Sequence, residues 1–170
     1  MNVIEHYDKL IDENNDPVYD PEPLKEYMNK WDGQVFIDAM KLDKHRVVLE
    51  IGVGTGRLAL KTVPLCKNFF FFDISPKTIG RAAQNLSQYQ NVELICANFL
   101  TYDFSTAFDV VYSSLTFMHI QAKQECINKV YSLLKELKKK INIETSSFSL
   151  RPSYEIVTPP IMESVEFYVD

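Results

Sequence analysis

The chain has 170 residues, 46% of them hydrophobic and 24% charged, which suits one soluble globular domain with a sizeable core and excludes wholesale disorder. Its formal net charge is -5, and Lys138-Lys139-Lys140 is its only basic triplet. That balance argues against nucleic acid as the main partner, because phosphate neutralisation needs clustered lysine and arginine.

Cys66, Cys96 and Cys126 are odd in number and far apart. They read as small hydrophobes of a reduced compartment, with the cytoplasm as the default location, and no metal site is expected of them. The N-terminus lacks the apolar run of a signal peptide, and the longest apolar run, Phe69 to Phe72, is too short to span a bilayer. No membrane association is therefore expected.

Residues 1–20 are polar and rich in Asp and Asn, with a short helix predicted around His6 to Ile11 and a turn at Asn14-Asn15-Asp16-Pro17. From Pro23, apolar residues recur at Leu24, Tyr27, Met28 and Trp31, the spacing of one helical face. Asp32-Gly33 interrupts that helix before a second piece carrying Val35, Phe36, Ala39 and Met40.

The stretch from Val47 to Leu60 then reads as a buried strand, a glycine turn and the start of a helix. Gly52, Gly54 and Gly56 stand at every second position, so the backbone there can take positive φ and approach a ligand closely. The following helix aims its free amides at that ligand. A dinucleotide fingerprint would place Gly or Ala where this chain has Arg57, which disfavours NAD.

Helix is predicted over Arg57 to Val63, up to Pro64, which lacks an amide donor. Phe69 to Asp73 reads as a second strand buried on both faces, followed by Ser75 as N-cap and Pro76 at the first helical position. Val92 to Ala97 and Phe108 to Ser113 give a third and a fourth strand, and Gln121 to Lys139 a closing helix. Strands alternating with helices imply a doubly wound α/β sandwich, whose ligands sit outside the carboxyl ends of the strands.

Asp73 falls about 20 residues beyond the glycine turn, where an α/β nucleotide site puts an acid to grip ribose hydroxyls. The pattern Glu50-x-Gly52-x-Gly54-x-Gly56, together with Asp73 and the segment Phe108 to Ile120, resembles the class I S-adenosylmethionine-dependent methyltransferases, over roughly Arg46 to Lys135. The resemblance implies a Rossmann-like sheet with helices on both faces, mostly parallel and closed by an antiparallel hairpin, and S-adenosyl-L-methionine as cofactor. It implies methyl transfer to an oxygen or nitrogen of a small molecule. The alternative is a catalytically silent cofactor-binding or assembly protein.

Carried onto this chain, the resemblance implies that Glu50 holds the methionine amine and that Ser113 and Leu115 flank the sulfonium. Ile74 belongs to the same cofactor group, beside Asp73. Asn98 stands where the family commonly has an acid for the adenine amino group and is equally a turn residue; Phe99 would cover the ring. Arg57 either faces the methionine carboxylate, faces solvent or pairs with an aspartate. His119 is either a general base or a packed support for its loop. Tyr7, Tyr19 and Trp31 are candidates for a lid in a helical leader spanning 1–45, ahead of a core over 46–135 and a shortened part over 136–170.

Beyond Lys135 the family usually shows a proline, two glycines and a fifth apolar strand, and this chain shows none of these at Glu136 to Glu144. The fifth strand is therefore expected to be missing, or replaced by a poor surrogate at Phe148 to Leu150. Tyr154 to Thr158 and Val165 to Val169 are expected to form the final hairpin. An altered sheet edge invites a second copy, so a homodimer is also an expectation.

Overall fold

The leader begins with a reciprocal cap: the Glu5 amide donates to the Asn2 side chain, and the Asn2 amide donates to the Glu5 carboxylate. This starts helix α1 at Val3, three residues ahead of the expected helix, and α1 runs Val3–Asp12. After a turn at Pro17–Tyr19 come α2 (Glu22–Asp32) and α3 (Gln34–Ala39), divided at Gly33. The structure, a computed structural model, describes residues 2–134 and the main-chain course of 139–143 and 147–152.

Strand β1 (Val47–Ile51) sends Val48 into one core and Leu49 and Ile51 into another. Next come α4 (Ala59–Thr62) and β2 (Asn68–Asp73). Here too Phe69 and Phe71 face the first core and Phe72 the second. Burying each such side chain contributes about 1.5–3 kcal/mol, provided both faces of the sheet are covered. The remaining core elements are α5 (Pro76–Asn85), β3 (Val92–Cys96), β4 (Val110–Ser114) and α6 (Lys123–Leu133). Ile37 before β1, Ala59 of α4 and Ala82 of α5 cover the first face, while Cys126, Ile127 and Val130 of α6 cover the second.

Four strands run parallel in the order β3-β2-β1-β4, as the doubly wound reading requires. Two predicted helices are shorter than expected. Arg57 and Leu58 belong to the turn, and Pro64 leaves α4 one turn of α-helix before a tighter coil at Val63–Leu65. Helix α6 stops at Leu133, whose carbonyl accepts the Phe108 amide at 2.9 Å, and Lys139 lies in a strand.

That strand is β5 (Lys139–Ile143), and with β6 (Ser147–Pro152) it forms an antiparallel hairpin. β6 lies against β4, antiparallel, with Ser147 opposite Ser114, so the full order is β3-β2-β1-β4-β6-β5. Among the described residues the strand beside β4 is β6, antiparallel, and the expected surrogate at Phe148 to Leu150 falls within it. The hairpin expected at Tyr154 to Thr158 and Val165 to Val169 lies outside the described residues. No described helix is long and apolar enough to cross a membrane.

Candidate functional site

A cavity of about 540 Å³ opens at the carboxyl ends of the parallel strands, beside the point between β1 and β4 where the strand order reverses. Of the residues singled out in the sequence, Glu50, Gly52, Gly54, Arg57, Asp73, Ile74, Asn98, Phe99, Leu115 and His119 line it. Gly56 and Ser113 do not. Ser113 is fully buried with its Oγ unpaired among the described residues, and the neighbouring Ser114 faces the cavity instead. Successive residues of a strand point to opposite faces, so a one-residue step decides which serine is presented.

The turn after β1 is held by main chain. The Gly52 and Val53 amides donate to the Phe72 carbonyl of β2 at 2.6 and 3.1 Å. Gly52 has φ +79°, and a Cβ there would overlap the Thr116 side chain. Gly54 has φ +57°, but a Cβ there would meet nothing within 4 Å. The first glycine is thus required by packing inside the protein, and the second leaves free space at the cavity wall.

Asp73 closes the turn from the other side. Its Oδ2 accepts the Gly54 amide at 3.1 Å and its Oδ1 the Ser75 amide at 3.0 Å. Burial pushes its carboxyl above the usual range, against the lowering effect of those amides and that of Ile74. Glu50, 2% exposed, accepts the Tyr112 hydroxyl on Oε2 at 2.8 Å, and Tyr112 meets Thr62 at 3.0 Å. Burial pushes Glu50 up to about 8; the Asp32 and Asp73 charges add to this, while the Tyr112 hydroxyl and Arg57 oppose it.

Arg57 is the aspartate-paired arginine of the three readings. Its Nη1 and Nη2 donate to the two carboxylate oxygens of Asp32 at 3.0 and 2.5 Å, and Ser114 Oγ donates to the same carboxylate. Asp32 is fully buried at the end of α2. In the sequence Asp32 is legible only as part of a helix break. One signal was available: a carboxylate at a helix C-terminus opposes the helix dipole, so it needs a specific cationic partner.

Asn98 Oδ1 accepts the Leu100 amide at 3.0 Å, so the residue forms the turn and lines the cavity at once. Phe99 is 6% exposed and packs edge-on against Phe72 at 5.7 Å between ring centres. Leu115, with φ +58°, is a left-handed non-glycine residue at the cavity wall. Of the lid candidates, Tyr7 reaches the cavity with Val3 and Pro17 beside it; Tyr19 and Trp31 do not line it. Tyr19 is 72% exposed, and Trp31 packs on Tyr27. Asp8 and Asp12 tie α1 to Ser75 and Lys77 at the start of α5.

A family model described as a methyltransferase domain matches residues 48–136, more than half of the chain. Malonyl-(acyl-carrier protein) O-methyltransferase 1 of Ilyobacter polytropus is 29% identical over 140 residues, covering 79% of this chain and 51% of the relative. An uncharacterised methyltransferase of Anoxybacillus flavithermus is 29% identical over 135 residues, covering 77% and 62%. The chain thus spans about half the length of these relatives. The fold superimposes on the N-methyltransferase NodS of Bradyrhizobium japonicum, a complex with S-adenosyl-L-homocysteine, with a TM-score of 0.62 at 16% identity, covering 83% of this chain and 72% of that one.

The chain belongs to the class I S-adenosylmethionine-dependent methyltransferase family. The cofactor of that family is S-adenosyl-L-methionine. The residues present fit such a group: free space at Gly54, where a side chain would intrude, two carboxyls on the cavity wall, and a volume within the range of small-molecule sites.

Proposed function

We propose that the chain binds S-adenosyl-L-methionine in this cavity and methylates an oxygen or nitrogen of a small molecule. The observation that carries this reading is the pairing of the bare Gly54 main chain with Asp73 across the mouth of a cavity at the strand switch point. Bound there, the cofactor supplies an electrophilic methyl group on a sulfonium.

The chain's part is to bind, align and exclude water. Asp73 would accept the two ribose hydroxyls on the lone pairs its amide donors leave free. Glu50 would face the methionine ammonium. Asn98 would offer its amide nitrogen to the base, since its oxygen is engaged by Leu100, and Phe99 and Ile74 would supply apolar contact. Val3, Tyr7 and Pro17 on the leader would roof the site against water. The Tyr7–His119 pair would stand on the acceptor side, where His119 can take a proton from an acceptor that needs one.

Calorimetric titration with S-adenosyl-L-methionine and S-adenosyl-L-homocysteine tests the cofactor half of the reading, and formation of S-adenosyl-L-homocysteine against a panel of small alcohols, phenols and amines tests the other. Saturable binding and turnover on at least one panel member are expected. Absence of binding would overturn the whole reading, and binding with no turnover on any acceptor would overturn the enzymatic part.

A further inference from the structure

Arg57 is a cation on the cavity wall, and it spends its charge on Asp32. Both guanidinium Nη atoms donate to that carboxylate, with Ser114 Oγ as a third donor, and Asp32 itself is fully buried. An arginine paired in this way has little charge left to offer Glu50, which lines the same cavity, is 2% exposed, and forms no ion pair among the described residues. The groups facing Glu50 are Tyr112 from β4, Asp32 from α2, Arg57 from the glycine turn and Asp73 from β2, so only one of the four is cationic.

We infer that Asp32 is a positioning residue that neutralises Arg57 and so reserves the Glu50 carboxyl for a cationic centre of the ligand, whose arrival expels the Glu50 proton to solvent. A buried carboxyl without a cation holds its proton, because a lone charge there is costly. When an ammonium comes within contact the cost is offset, the O–H bond of Glu50 breaks, its electron pair stays on the carboxylate, and the proton leaves to buffer. The site therefore discriminates by charge: a ligand carrying an amine cation ionises Glu50, and an isostere without one leaves it neutral. This rests on the cofactor reading above and adds a proton to its stoichiometry.

The test is calorimetric titration of the chain with S-adenosyl-L-homocysteine in buffers of differing ionisation enthalpy, which counts protons released per ligand bound. A carboxyl at about 8 is mostly protonated at pH 7 and mostly ionised at pH 9, so most of a proton should be released at pH 7 and clearly less at pH 9. Glu50→Gln should release none at either. Asp32→Asn should free Arg57 to pair with Glu50 and cut the release at pH 7. The double change Asp32→Asn with Arg57→Gln removes both charges and should restore it, which separates positioning from a loss of fold; thermal melting of each variant is run alongside.

Binding without proton release in the unaltered chain at pH 7 would overturn the inference while leaving the cofactor reading standing. Equal release in the Asp32→Asn variant, or no recovery in the double variant, would overturn the role of Asp32. No heat of binding at all would sink the cofactor reading and this inference together.

Discussion

Tyr7 of the leader and His119 beyond β4 meet across the cavity, with the phenol oxygen 2.9 Å from Nε2 and the rings edge to face at 5.7 Å. Burial, and then the charge of Asp73, raise the Tyr7 hydroxyl above its usual range, so it stays protonated and available as a donor. The contact links residues 112 positions apart and is where the roof touches the wall.

Tyr7→Phe is expected to weaken S-adenosyl-L-homocysteine binding by about 0.5–1.5 kcal/mol, the usual worth of one hydrogen bond, and to make α1 more open to limited proteolysis. His119→Gln should give the same phenotype, and the double change should add little, because both remove one contact. Fully additive effects in a binding cycle would show that the two residues act apart.

Asp73→Ala should weaken the same ligand by about 1–3 kcal/mol, since ribose hydroxyls would lose their acceptor in a buried site. Asp73→Asn should cost less, because its amide oxygen can still accept from Gly54. Unchanged affinity in the alanine variant would remove Asp73 from the ribose role.

The two glycines of the turn should separate packing from ligand space. Gly52→Ala drives a Cβ into Thr116 at φ +79° and should lower the melting temperature sharply. Gly54→Ala meets nothing within 4 Å, so its stability cost should be near the left-handed penalty of about 1–2 kcal/mol, while ligand affinity falls. Equal loss of stability in both variants would contradict this division.

Glu50 makes the ligand-free protein sensitive to pH. Burial pushes its folded carboxyl up to about 8 from the ordinary 4.5, so the folded state binds more protons than the unfolded state between those values. Its contribution is fully present below pH 4.5 and is lost as pH rises toward 8, by an amount on the order of a few kcal/mol. Denaturant melts of the chain and of Glu50→Gln from pH 5 to pH 9 should therefore converge toward low pH and diverge toward high pH. Parallel pH profiles would show that Glu50 is ionised in the folded protein.

What the sequence made legible was local. The glycine turn, Asp73 at the end of the next strand and the Ser75-Pro76 cap are each fixed by residues within a few positions of one another, and the sheet order followed from alternation of strands and helices. What stayed hidden depended on distance or parity. Asp32 reads as a helix end until Arg57, 25 residues on, folds back to it. Ser113 and Ser114 are chemically identical, and only the pleat of β4 sorts them. The strand at Lys139–Ile143 carries two lysines and continues a helical run in composition, so its pairing with β6 is set by the sheet and not by propensity.

The last described strand is inserted between two that precede it in sequence, since β6 separates β4 from β5. A sheet of this order cannot be finished in the order of synthesis: β4, which carries Tyr112 and Ser114, keeps an open edge until residues 147–152 leave the ribosome. The nascent chain is then most exposed to wrong partners late, on the flank next to the cavity.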